Sequence, residues 1–224
     1  MKKVCLLALL FCLTFVSSVS QRIFLTGDSH VSGKVYPLAL KALVTEAKPS
    51  ANVSFWGKGG AGFYTFNETP AYMDSISQAQ PDILIVHLGT NGCYNVPVDS
   101  AKTLSDITIF HRNVRARLPR CRIVYVTPFY NKNREVASAE GEEKVYGPWK
   151  VNEKTRKVAD IILDFALAQP FTYVIDNNAD AGTVFLDREG LIRDDNIHLT
   201  REGYELLGRQ VADRLLQIPD LWQD

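Results

Sequence analysis

The chain predicts an α/β fold, a three-layer α/β/α sandwich built on a five-stranded parallel sheet. Strand-like and helix-like hydrophobic patterns alternate along it, the signature of a parallel sheet covered on both faces. About 200 residues with 46% hydrophobic content suit one domain with a sizeable core. No internal repeat or linker interrupts the pattern.

Residues 23–26 read as the first strand, after which Val35, Leu38, Ala39, Ala42 and Leu43 fall at helical spacing. The second strand covers 52–56, residues 63–70 read as loop, and a weak helix spans 71–79. The apolar run 83–88 gives the third strand, a long helix runs over 98–118, and the fourth strand covers 122–127. Val158, Ile161, Ile162, Phe165 and Ala166 mark another amphipathic helix, followed by a last strand at 173–176 that 183–192 extends. Thr200 caps a final helix in which Tyr204, Leu207, Val211 and Leu215 share a face, with Glu202 and Glu205 in its early turns.

Open sheets of this kind bind ligands beyond the C-terminal ends of their strands. Four segments stand at such places: Gly27-Asp28-Ser29, the glycine-rich 57–62, Gly89-Thr90-Asn91-Gly92, and Asp195-Asn196-Ile197-His198. A serine hydroxyl is a weak nucleophile at neutral pH; it needs an imidazole to take its proton and a carboxylate to orient that imidazole. Ser29, His198 and Asp195 fill these roles, and the two-residue gap between Asp195 and His198 lets one tight turn carry both. Acyl transfer also puts negative charge on the former carbonyl oxygen, which preorganised N–H donors stabilise. Backbone amides of the glycine-rich turn and the side-chain amide of Asn91 are suitable donors.

Ordered as GDS, a glycine-rich turn, GTN and DxxH, these segments resemble the blocks of the SGNH hydrolases, also called the GDSL esterase and lipase family, over residues 23–215. The resemblance implies a flavodoxin-like SGNH hydrolase fold and a serine ester hydrolase without a cofactor. It implies Ser29 as nucleophile, His198 as general base and then acid, Asp195 as the orienting carboxylate, and an oxyanion hole of the Ser29 amide, the Gly60 amide and the Asn91 side chain. Gly60 follows from laying the family's G-x-[SN]-G pattern on 57–60, with Gly59 the alternative register. The family's usual leucine after the serine is His30 here, read as a packing or hydrogen-bonding residue because His198 has Asp195 beside it. His87 and His111 read as satisfied structural groups, and Asp28 and Asp194 as turn caps.

Lys2 and Lys3, the apolar run 4–16 and Ser17-Ser18-Val19-Ser20 form a secretory signal with cleavage expected after Ser20, hence a secreted or periplasmic enzyme on residues 21–224. The run is shorter than the roughly 20 residues a membrane span requires, so no stable insertion is expected after cleavage. Phe11 before Cys12 disfavours lipidation. The mature chain carries 23 basic against 25 acidic residues, a formal charge of −2, with no basic footprint for nucleic acid. Cys93 and Cys121 survive cleavage and are expected as free thiols. A parallel sheet puts them at opposite edges, roughly 15 Å or more apart, beyond the ~7 Å that a disulfide bridges. Neither HExxH nor clustered Cys and His at ligand spacing implies a metal.

The substrate reading is an ester, most specifically an O-acetyl group on a glycan, resting on export and on small family members of this layout; a short-chain lipid ester or thioester is the alternative. Phe63, Tyr94 and Phe129 are the aromatic residues expected to line the cleft, with Trp56, Tyr64, Phe66, Tyr130 and Trp149 nearby. Residues 131–148 are rich in charge and read as a mobile surface loop placed to cover the substrate. Two readings from other classes compete. Gly57, Gly59 and Gly62 satisfy the dinucleotide fingerprint G-x-G-x-x-G, but a loop follows them and Asp82 stands at the beginning of the next strand rather than its end. The other is a non-catalytic glycan-binding relative using the same cleft.

Overall fold

Successive residues of a strand face opposite sides of a sheet, so a strand that is apolar throughout must be covered twice. In the computed structural model, which describes residues 20–94, 98–130, 148–178, 185, 188–195 and 197–223, this is the arrangement found. Strands β1 (Arg22–Gly27), β2 (Asn52–Gly57), β3 (Ile83–His87), β4 (Arg122–Val126) and β5 (Thr172–Ile175) form one parallel sheet in the order β2-β1-β3-β4-β5. The helices are α1 (Ser29–Ser32), α2 (Val35–Ala47), α3 (Phe63–Glu68), α4 (Pro70–Ala79), α5 (Asn91–Tyr94), α6 (Ser100–Arg117), α7 (Pro148–Leu167) and α8 (Arg201–Leu216), followed by a 3₁₀ turn at Pro219–Trp222.

Alternation divides the core in two. Ile23, Leu25, Ile83, Ile85, Val124 and Val126 face Tyr36, Leu40 and Val44 of α2 and Leu207, Val211 and Leu215 of α8. Phe24, Leu84, Val86, Ile123 and Tyr125 face Phe63, Phe66, Met73, Phe110, Val114, Val158 and Ile162 of α3, α4, α6 and α7. Each fully buried side chain of this size contributes roughly 1.5–3 kcal/mol of burial. Between α2 and α8 the approach is close because residue 208 is glycine. A Cβ there would lie 2.6 Å from Ala39 Cβ and 2.9 Å from the Tyr36 carbonyl oxygen.

The five-stranded parallel sandwich agrees with the sequence expectation, and three local readings change. Residues 63–68 are helix, not loop: Phe63 and Phe66 bury one face, and Thr65 Oγ1 accepts the Gly62 N–H at 3.0 Å at the helix start. None of the described residues of 183–192 continues β5; Ile192 makes an isolated antiparallel bridge with Leu199. The short helices α1 and α5 form where the sequence indicates only turns. Cys121 is a free, buried thiol, which burial pushes up to about 12. The Cys93 side chain, the signal segment before Ser20 and the charged stretch 131–147 lie outside the described residues.

Gly208→Ala is expected to push α2 and α8 apart and destabilise the fold by about 1–3 kcal/mol. Urea denaturation of the two proteins checks this; an unchanged midpoint would show that the helices absorb the methyl group without cost.

Candidate active site

Gly27, the last residue of β1, is in register with Gly57 of β2 and His87 of β3. The segments that follow therefore leave the sheet at one level. Gly27 admits no side chain, because a Cβ would stand 2.4 Å from the His87 carbonyl oxygen and 2.5 Å from Val31 Cγ2. The chain can thus turn straight into α1, where Asp28 is the N-cap and its Oδ1 accepts the His30 N–H at 3.0 Å. Ser29 is the first residue of α1, a position whose amide has no carbonyl partner within its own helix.

The DxxH turn is organised by its own carboxylate. Asp195 Oδ1 accepts the N–H groups of Ile197 at 2.9 Å and His198 at 2.8 Å, while Oδ2 lies 2.8 Å from His198 Nδ1. Burial by itself would raise the Asp195 carboxyl; these donors outweigh it and hold the group below its ordinary range. With Nδ1–H directed at the carboxylate, Nε2 is left as an acceptor, and it lies 2.9 Å from Ser29 Oγ. Two backbone bonds pin the turn: Arg193 N–H to the His198 carbonyl at 2.8 Å and Thr200 N–H to the Leu191 carbonyl at 2.9 Å. The His198 and Asp195 side chains remain 32% and 45% exposed, so the site opens to solvent.

Asn91 opens α5 just beyond β3. Its Nδ2 donates to the Ala61 carbonyl at 2.9 Å and stands 3.4 Å from Asp28 Oδ2, which joins the segments after β1, β2 and β3. Gly60 adopts φ 76°, the left-handed region, and a Cβ on it would meet nothing within 4 Å. Gly59 is the glycine beside the serine, with a Cβ on it falling 4.0 Å from Ser29 Cβ.

Ser29, Asp195, His198 and Asn91 are therefore gathered at one sheet edge, whereas two of the expected cleft aromatics are not. Phe63 packs on Phe110 and Tyr125 in the core, and Phe129 is buried beneath the site against His30, His87 and Phe185. Both are large apolar groups at element ends, where the interior claims them before the cleft does. The Tyr94 and Trp149 side chains lie outside the described residues, as does Asn196. His111 is satisfied structurally, 3.2 Å from the Tyr125 hydroxyl. His87 is buried, but neither ring nitrogen has a partner among the described residues. Tyr204, expected only as a core residue of α8, places its hydroxyl 3.1 Å from His30 Nδ1. Its signal in the sequence is a tyrosine on a buried face, since a buried phenol usually finds a polar partner.

The sequence profile of the GDSL-like Lipase/Acylhydrolase family matches residues 25–206, from β1 into α8, and so spans all four segments. The chain belongs to this family. As a GDSL-like acylhydrolase it is a carboxylic ester hydrolase. No curated protein sequence matches it. Solved structures show the same fold at low identity. A peptidoglycan O-acetylesterase is 13% identical with a TM-score of 0.69, covering 90% of this chain and 92% of its own. A carbohydrate esterase family 3 protein from Talaromyces cellulolyticus is 16% identical with a TM-score of 0.64, over 89% and 98%. Axe2, an acetylxylan esterase from Geobacillus stearothermophilus, is 15% identical with a TM-score of 0.64, over 88% and 96%. One objection to the dinucleotide reading falls, because α3 starts directly after Gly62. The other stands, since Asp82 precedes β3, and the family match decides for an esterase.

Asp28 is fully buried, which pushes its carboxyl up to about 7, the His30 N–H offsetting this only in part. An unfolded aspartate loses its proton near pH 4. Between about pH 4 and 7 the native state then binds more protons than the unfolded state, so the contribution of Asp28 is complete below that window and is lost as pH rises through it. Asp28→Asn cannot ionise, and its stability relative to the native protein is expected to improve from pH 4 to 7. Urea midpoints of both proteins across that range check this; a difference that stays constant would mean that Asp28 ionises normally.

Proposed function

We propose that this chain is a secreted or periplasmic serine esterase that removes O-acetyl groups from a carbohydrate through an acyl-enzyme. The observation that carries the serine mechanism is the pair of contacts at His198, 2.9 Å to Ser29 Oγ and 2.8 Å to Asp195 Oδ2. Ser29 Oγ attacks the ester carbonyl as His198 Nε2 takes its proton, and Asp195 stabilises the imidazolium. The tetrahedral oxyanion is held by the Ser29 amide, the Gly60 amide and the Asn91 side chain. Collapse expels the sugar alcohol, which receives the proton from His198. Water then attacks the acetyl-serine by the same path, releasing acetate and restoring the hydroxyl. One Asn91 hydrogen is engaged with Ala61 at 2.9 Å; the other, facing Asp28 at the longer 3.4 Å, is the one available to the oxyanion.

Two features support a small acyl group on a polar alcohol. Two of the three aromatic groups expected to line the cleft, Phe63 and Phe129, are core residues, and the exposed Gly59 stands beside Ser29. The structures of similar fold include a peptidoglycan O-acetylesterase and an acetylxylan esterase. Export rests on the basic and apolar pattern of residues 1–20.

The mature protein and its Ser29→Ala variant should be assayed on nitrophenyl esters from acetate to palmitate, and then on acetylated glycans for acetate release. Serine-dependent turnover that favours acetate is expected. A preference for long chains would replace the carbohydrate reading with a lipid one, and equal turnover by Ser29→Ala would remove the serine mechanism. Asn91→Ala should fold and lose roughly 100 to 1,000-fold in kcat, as for one oxyanion donor; native turnover would exclude Asn91 from the mechanism.

A further inference from the structure

The nucleophile and its base come from segments 169 residues apart in the chain, and a displacement on the order of 1 Å between them is enough to cost catalysis heavily. The Ser29–His198 contact itself cannot be what sets their spacing, because it must break and re-form during each proton transfer. A second tie lies directly beneath it. His30, the neighbour of Ser29, is wholly buried, and its backbone is held by the same N-cap that starts α1. Its ring centroid is 5.6 Å from that of His198, and its Nδ1 is 3.1 Å from the hydroxyl of Tyr204. Tyr204 is 4% exposed and sits in the first turns of α8, immediately after the DxxH segment. The Tyr204 N–H donates to the Thr200 carbonyl at 3.0 Å, which ties this turn of α8 to the end of the DxxH segment.

We propose that His30 and Tyr204 form a positioning strut that sets the distance between the Ser29 helix and the His198 turn. The proposal rests on the serine esterase reading above. The Tyr204 hydroxyl can donate to or accept from His30 Nδ1, so the bond forms in either imidazole tautomer. One end of the strut is the residue next to Ser29, and the other, Tyr204, stands in the first turns of the helix that follows His198. Both ring systems are packed, His30 against Phe129, His87 and Tyr204, so the link is stiff as well as polar. An apolar residue at position 30 would fill the space but leave the Tyr204 hydroxyl without its side-chain partner. His30 and Tyr204 touch no reacting atom in this arrangement; they act through the segments they join.

The test is steady-state kinetics on nitrophenyl acetate with Tyr204→Phe, His30→Leu, the double variant and His30→Asn, alongside Ser29→Ala and thermal denaturation of each. In His30→Asn the side-chain amide oxygen would stand close to the place of the lost Nδ1. Tyr204→Phe and His30→Leu are each expected to lower kcat about 10-fold with KM unchanged, and the double variant to lose no more than either, as for residues that act as one unit. His30→Asn should recover most of the loss. Native kcat in Tyr204→Phe, losses that multiply in the double variant, or no recovery in His30→Asn would each overturn the strut. If His30→Leu does not fold, Tyr204→Phe and His30→Asn decide alone. Turnover by Ser29→Ala would instead reject the serine reading, while an inactive Ser29→Ala beside a fully active Tyr204→Phe rejects only the strut.

Discussion

Everything that meets at Ser29 depends on how closely the chain can pass over the end of β3 at Gly27. Any Cβ there would overlap the His87 carbonyl oxygen, at 2.4 Å. Because β1 lies between β2 and β3, the residues after all three strands reach the same crevice, where the strand order reverses. Register then sets position. A slip of β1 by one residue would move Ser29 by about 3.3 Å and turn its strand faces inside out. That displacement exceeds the whole 2.9 Å contact with His198, so the apolar alternation that fixes the register also fixes the site.

The floor under the site is polar at some cost. His30 has a partner for Nδ1 only, and the ring of His87 has none among the described residues, although both are fully buried. Unpaired buried polar atoms cost roughly 1–3 kcal/mol each. Burial, reinforced by the neighbouring His87 and His198, holds His30 well below the usual imidazole range, and burial alone takes His87 to about 3. This neutrality matters for the proposed mechanism. A second imidazolium with its ring 5.6 Å from that of His198 would oppose the positive charge that His198 must carry during proton transfer. Keeping His30 dry keeps that charge available to Asp195 alone.

The parts of this architecture legible in the sequence are those set by local pattern. The runs Ile83–His87 and Arg122–Val126 are apolar enough to require cover on both faces, and Thr200 followed by Tyr204, Leu207, Val211 and Leu215 announces a capped helix with one buried side. Ser29, Asp195 and His198 are legible as a candidate set because serine acyl transfer calls for one residue of each type, and Ser29 follows the end of β1. What is not legible depends on distance in space. The helix at Phe63–Glu68 is held by Phe63 and Phe66 packing on Phe110, a partner more than forty residues away, and nothing in its mixture of Thr, Asn and Glu announces that. The same blindness makes Phe63 and Phe129 look like cleft residues. Tyr204 reads as core because a helix pattern reports burial and not what the buried hydroxyl touches.

Two carboxylates of the site show why residue type alone does not assign a role. Asp195 and Asp28 both stand in tight turns, one beside His198 and the other beside Ser29, and burial opposes ionisation in each. Asp195 is only partly covered and receives three N–H groups, from Ile197, His198 and the His198 ring, so its charge is stabilised and it remains below the ordinary range. Asp28 is wholly enclosed, so burial outweighs its hydrogen bonds from the His30 N–H, the Thr90 side chain and its own amide, and its carboxyl is pushed up to about 7. The difference follows from the depth of burial, which is partial at Asp195 and complete at Asp28. It gives the site one carboxylate that stays charged next to His198 and one, next to Ser29, that resists charging. A permanent negative charge at Asp28 would sit close to where the oxyanion must form, within 3.4 Å of the very amide proposed to hold it. Enclosing Asp28 therefore serves the same end as placing donors around the oxyanion, by lowering the competing charge instead of raising the attraction.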